Sequence, residues 1–92
     1  NETADLNRLG LRVQNLNETL QKKFNRKEGV IITAASEYYK NYNLEGKVVI
    51  AIDGIQVSTI EDAIEASSEN NTYRHALTVI DEEGNKETLI FN

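Results

Sequence analysis

Cysteine is absent from this chain, and so are proline, methionine and tryptophan. Without cysteine there is no disulfide framework and no thiolate metal site. Histidine occurs once, at position 75. A base, its orienting partner and a nucleophile must converge for nucleophilic catalysis. One imidazole with no G-x-S-x-G motif beside it does not meet that need, so His75 is read as structural and no catalytic residue is assigned. Long apolar runs are missing too: none approaches the roughly 20 residues of a membrane span, and no membrane contact is expected of this domain. Positive charge is scarce, with 10 Lys and Arg against 15 Asp and Glu and a net charge of −5. The basic residues that do cluster, Lys22, Lys23, Arg26 and Lys27, read as the end of a helix. Nucleic acid is therefore set aside as the main partner, because phosphate binding wants clustered cations. The carboxylates of Asp81, Glu82 and Glu83 lack the alternating spacing and central glycine of a calcium loop. Neither a metal nor a cofactor is expected.

What is present suits one small domain of 92 residues, large enough for a modest core and too small for a roomy enzyme cleft. The chain starts at Asn1 with no leader, so a piece of a longer protein is expected. Residues 1–7 are polar and unpatterned and read as a linker or tail, leaving 8–92 as the domain. Leu9, Leu11 and Val13 alternate with polar or small residues, the mark of a half-buried strand. Asn17 is placed to cap a short helix carrying Leu20 and Phe24 on one face, which Gly29 ends. "GVIITAAS", from Gly29 to Ser36, reads as a buried strand. Ser36 can cap a short helical stretch that brings Tyr38, Tyr39, Tyr42 and Leu44 to the core. "GKVVIAIDGIQV" is a hairpin turning at Asp53-Gly54. Ser58, with Glu61 three residues on, has the form of a capping box for a helix that carries Ile60, Ala63 and Ile64 on one face. A loop at Asn70–Thr72 and a second hairpin, Tyr73 to Ile80 and Lys86 to Phe91, complete the order β α β α β β α β β.

Gly10, set between two leucines, admits two readings. It eases an ordinary turn, or it leaves backbone N–H groups bare for a ligand to approach closely. The second reading is encouraged by Ile60 and Ile64, an apolar stripe beside a strand edge. Such a groove accepts an extended peptide by strand addition, and loop amides near Gly10 would grip its terminal carboxylate.

The stretches "LGLRVQNLNETLQKKFNRKEGVIITAAS", "LEGKVVIAIDGIQVSTIEDAI" and "ALTVIDEEGNKETLIF" together resemble a PDZ domain of the bacterial HtrA/Deg type, which follows the trypsin-like domain of periplasmic quality-control proteases. The likeness runs from Arg8 to Phe91 and is nearest to the second, C-terminal copy. It implies an α+β, mainly β fold: a PDZ-like, partly open β-barrel of five to six strands flanked by two helices, in the permuted bacterial topology. It also implies a peptide-binding set. Arg8, Leu9, Gly10 and Leu11 fall in the carboxylate-binding loop, Leu11, Arg12 and Val13 in the strand that pairs with the peptide, and Ile60 and Ile64 on the far wall. Peptide or unfolded-protein C-termini are the implied partners, together with the protease domain of the same chain. The implied parent is a homo-oligomeric serine endopeptidase of the periplasm or cell envelope, whose catalytic domain is absent here. The sequence departs from that pattern at Gly46-Lys47, where Gly-Asp is usual, and at Glu37, Tyr38 and Tyr39, where small residues and proline are usual. An oligomerisation scaffold with an unused groove, or the PDZ domain of a tail-specific or intramembrane protease, stay open as alternatives. Gly10→Val is expected to abolish capture while leaving the domain folded.

Overall fold

The computed structural model describes residues 2–69 and 74–91. The elements run β1 (Thr3–Leu6), β2 (Leu11–Asn15), α1 (Glu18–Phe24), β3 (Val30–Ala35), a 3-10 turn (Glu37–Tyr39), β4 (Val48–Ile52), β5 (Ile55–Gln56), α2 (Ile60–Glu69), β6 (His75–Ile80) and β7 (Lys86–Phe91). All strand pairings are antiparallel, in the order β1-β2-β3-β4-β6-β7, with β5 paired to β4 alone. The class is α+β and mainly β, as expected, but among the described residues the strands number seven rather than five or six. The sheet is open: among the described residues β1 and β7 end it without pairing to each other. The added strand is β1. Thr3–Leu6, expected to be linker, pairs with β2 through Thr3↔Gln14, Ala4↔Val13, Asp5↔Arg12 and Leu6↔Leu11.

Both faces of the sheet are covered, which explains why β4 reads as an unbroken apolar run. Val49 and Ile52 belong to the larger core, together with Leu6, Leu11, Val13, Ile32 and Leu77 and with Ile60, Ala63 and Ala66 of α2. Val48 faces the other way, in a smaller cluster with Leu16 and Phe24, against which Leu20, Ile31, Ile50 and Ile80 pack. No buried polar side-chain atom among the described residues lacks a hydrogen-bond partner.

Local chemistry sets several boundaries. Asn17 caps α1, its Oδ1 accepting from the Leu20 N–H at 2.8 Å, and Asn25 closes the helix in the left-handed region. At the β4–β5 hairpin, Asp53 and Gly54 both have positive φ, 53° and 81°, as a type I′ turn demands. Two caps differ from expectation. The box on α2 sits one residue later: the Asp62 carboxylate accepts from the N–H groups of Ser58 at 2.9 Å and Thr59 at 3.3 Å, while Thr59 Oγ1 accepts from Asp62 N–H at 3.3 Å. Ser36 precedes the 3-10 turn without a side-chain capping bond. Of the tyrosines there, Tyr39 is buried, while Tyr38 and Tyr42 stay exposed. The expected loop over Asn70–Thr72 and the hairpin start at Tyr73 lie outside the described residues.

Candidate functional site

The site expected around Gly10 is built from the turn Asn7–Gly10, the strand β2 and the helix α2. β2 is bordered on both sides, by β1 along Leu11–Gln14 and by β3 along Leu11–Asn15. The open edge expected at Leu11, Arg12 and Val13 is therefore taken, by the chain's own first strand. β1 runs antiparallel to β2, and α2 packs against both strands.

The expected free amides are engaged as well. Leu9 N–H and Gly10 N–H both donate to the carbonyl of Leu6, at 2.9 and 2.8 Å. These amides near Gly10, expected to grip the carboxylate of a peptide end, here hold the carbonyl oxygen of residue 6. The turn is anchored from behind. Ser36 N–H donates to the Gly10 carbonyl at 2.9 Å, and the Tyr39 hydroxyl donates to the Leu9 carbonyl. Burial first, and the neighbouring Tyr38 second, raise the Tyr39 pKa above the usual tyrosine value.

Gly10 itself is required by backbone shape and packing. Its φ is +71°, and a Cβ there would lie 2.9 Å from Ser36 Oγ and 3.2 Å from Ser36 Cβ. Ligand approach is not needed to explain the glycine. Gly10→Val thus strains the fold, and the expectation that it spares folding is corrected.

Along β1 the side chains alternate. Leu6 is buried, with 2% of its surface accessible, and enters the main core; Ala4 is partly buried against that core; Thr3 and Asp5 are exposed. Asp5 forms an ion pair with Arg12 directly across the strands, Nε to Oδ1 at 2.7 Å. The hydrogen bond, and then the attraction of opposite charges, hold the Asp5 carboxyl below its ordinary pKa and raise that of Arg12. Beside them lies a hollow of about 310 Å³, lined by Asp5, Leu6, Gly10, Arg12, Ala35 and Ser36 among others.

The eight residues expected to bind peptide therefore divide. Leu9, Leu11, Val13 and Ile60 are core side chains. Gly10 is half-buried, and Arg8 and Arg12 are exposed. Ile64, one turn along α2 from Ile60, is 48% exposed. β2 and α2 are also tied directly, since Asn15 Oδ1 accepts from the Ile60 N–H at 2.9 Å. Sequence reasoning missed Asp5, Leu6, Asn15 and Tyr39. Ala4 and Leu6, two apart, make a run too short to show a period, and Leu9 lies within the turn between the strands.

His75 has a partner: its Nδ1 lies 3.0 Å from Asp53 Oδ2, with both side chains largely enclosed. Asp53 also accepts the Ala76 N–H at 2.8 Å through Oδ1, and its own N–H donates to the Ala76 carbonyl at 2.7 Å. The pair fastens the β4–β5 turn to β6. No protein-family model and no curated protein matches this chain.

Proposed function

We propose that this chain is a non-catalytic peptide-binding module of PDZ type, which receives an extended chain end by strand addition on β2 beside α2. The observation that carries the reading is the seat of β1. A short strand lies antiparallel on β2, buries its last apolar side chain in the core next to α2, and sets its carbonyl on the amides of Leu9 and Gly10. Those are the contacts of strand-addition recognition, made here by the chain itself. Each strand-pairing hydrogen bond contributes about 1 kcal/mol net and a buried leucine about 2 kcal/mol. After several kcal/mol for ordering a peptide, the net affinity for a short free peptide is modest. Modest affinity suits a recruiting site that must release what it holds. In this reading the module serves an HtrA-like serine endopeptidase of the cell envelope, delivering C-termini of unfolded proteins to a protease domain elsewhere in a homo-oligomeric parent.

Peptide titration followed by amide chemical shifts tests the reading. Peptides with a free C-terminus and an apolar last residue should move the resonances of Leu9, Gly10, Leu11 and Ile64, and amidating that terminus should weaken the response. Silence at all four positions at millimolar peptide, in the parent and in Asp5→Lys alike, would discard it. One observation favours a second reading. Because the receiving edge is already paired with β1, the domain also suits an assembly scaffold whose groove stays closed, and silence in the titration is the result that reading expects.

A further inference from the structure

We propose that β1 is a tethered pseudo-ligand, so that Thr3-Ala4-Asp5-Leu6 both blocks the slot and spells out the chain end the slot prefers. The inference rests on the peptide-binding reading above and deepens it by naming the ligand class and the means of control. Four observations converge on it. The direction of β1 sends its C-terminal end toward the Asn7–Gly10 turn, as an incoming chain end must run to reach the same amides. Leu6 C=O occupies both of those amides, leaving neither for a carboxylate oxygen. Leu6 fills an apolar position enclosed by the core. Asp5 meets the Arg12 guanidinium across the strand pair at 2.7 Å.

The contacts translate into a recognition rule. The last residue is leucine or a similar apolar side chain, because its place lies in the core. The residue before it is acidic, because it faces Arg12. The residue before that is small, because Ala4 lies partly buried against the same core. A peptide ending in Ala-Asp-Leu with a free carboxylate satisfies all three, and its terminal charge adds a charge-assisted bond to the amides that a carbonyl does not supply. Such a peptide binds only after β1 has left, so its apparent affinity is reduced by the fraction of molecules in which the slot is vacant.

The test uses the whole chain and one acetylated peptide ending in Ala-Asp-Leu, read by fluorescence anisotropy and by amide exchange at residues 3–6. Asp5→Lys places like charges opposite one another on an exposed pair, which loosens β1 without touching the core. It should tighten peptide binding about fivefold, and bound peptide should strip protection from the amides of Thr3–Leu6. A peptide ending in Ala-Lys-Leu should bind the parent more weakly than its Asp counterpart, and Arg12→Glu should reverse that order. Equal binding of the Asp and Lys peptides by parent and Asp5→Lys, with Thr3–Leu6 still losing protection, overturns the pseudo-ligand and leaves the binding module standing. Binding that leaves the β1 amides unmoved overturns both. Absence of binding by the parent and by Asp5→Lys overturns both.

Discussion

Tyr39 shows how one side chain can hold a turn in place. Its hydroxyl donates to the Leu9 carbonyl behind the amides that seat Leu6, and its ring stacks edge-on with Tyr38, Tyr42 and Phe91. Tyr39→Phe keeps the packing and leaves the Leu9 carbonyl short of a donor, so a loss of about 1–3 kcal/mol is expected in denaturant unfolding. Because burial raises its pKa, Tyr39 contributes stability that is present below the unfolded tyrosine value of about 10 and lost as pH rises through the higher folded value. An ultraviolet phenolate titration should show a late component in the parent that Tyr39→Phe removes. Gly10→Ala meets two obstacles, the left-handed φ and the hydroxyl of Ser36. A penalty of at least about 1–2 kcal/mol follows from the backbone alone, and a thermal melt should register it.

Among the elements, legibility followed locality. The cap at Asn17, the strands β3 and β4 and the turn at Asp53-Gly54 were readable because each signal lies within a few consecutive residues. The α2 cap was misplaced by one because Ser58 and Thr59 each have an acid three residues on, Glu61 and Asp62, and sequence spacing does not choose between them. The structure does, through Asp62. Thr59→Ala should therefore cost about 1 kcal/mol in unfolding experiments, and Glu61→Gln much less. β1 escaped notice because four residues with one large apolar side chain give almost no periodic signal. Its partner strand was recognised, but the pairing was invisible, and with it the fate of the edge expected to be open. Its ion pair makes the attachment sensitive to acid. Asp5 is held below its ordinary pKa, so its contribution is present above the unfolded value of about 3.9 and fades as pH falls through the lower folded value. Exchange protection along Thr3–Leu6 should fall in that range more steeply in the parent than in Asp5→Asn.

For the molecule as a whole, the sheet carries two separate apolar clusters among the described residues, and of these the larger one reaches the candidate site. The smaller one, around Val48 and Phe24, holds α1 on the opposite face. Truncation through Leu6 removes one core leucine and leaves the second cluster intact. The shortened chain should remain folded, less stable by about 2–5 kcal/mol, with near-ultraviolet circular dichroism retained. The same uneven distribution explains what composition alone conveyed. The alternation of strands and helices and the core residues of β3 and β4 follow from apolar patterning. The division of β4 between two faces, and the enclosure of His75 by Asp53, follow only from the sheet order.

The turn joining β1 to β2 spans only Asn7–Gly10. As the tethered pseudo-ligand proposed above, β1 on so short a leash would act at an effective concentration of millimolar order or more, whatever the dilution of the protein. Dilute free chain ends would then rarely win the exchange. Ends supplied at comparable local density, as on a substrate already held nearby by the same assembly, would win it. The length of one turn would thus set a threshold for cargo delivery.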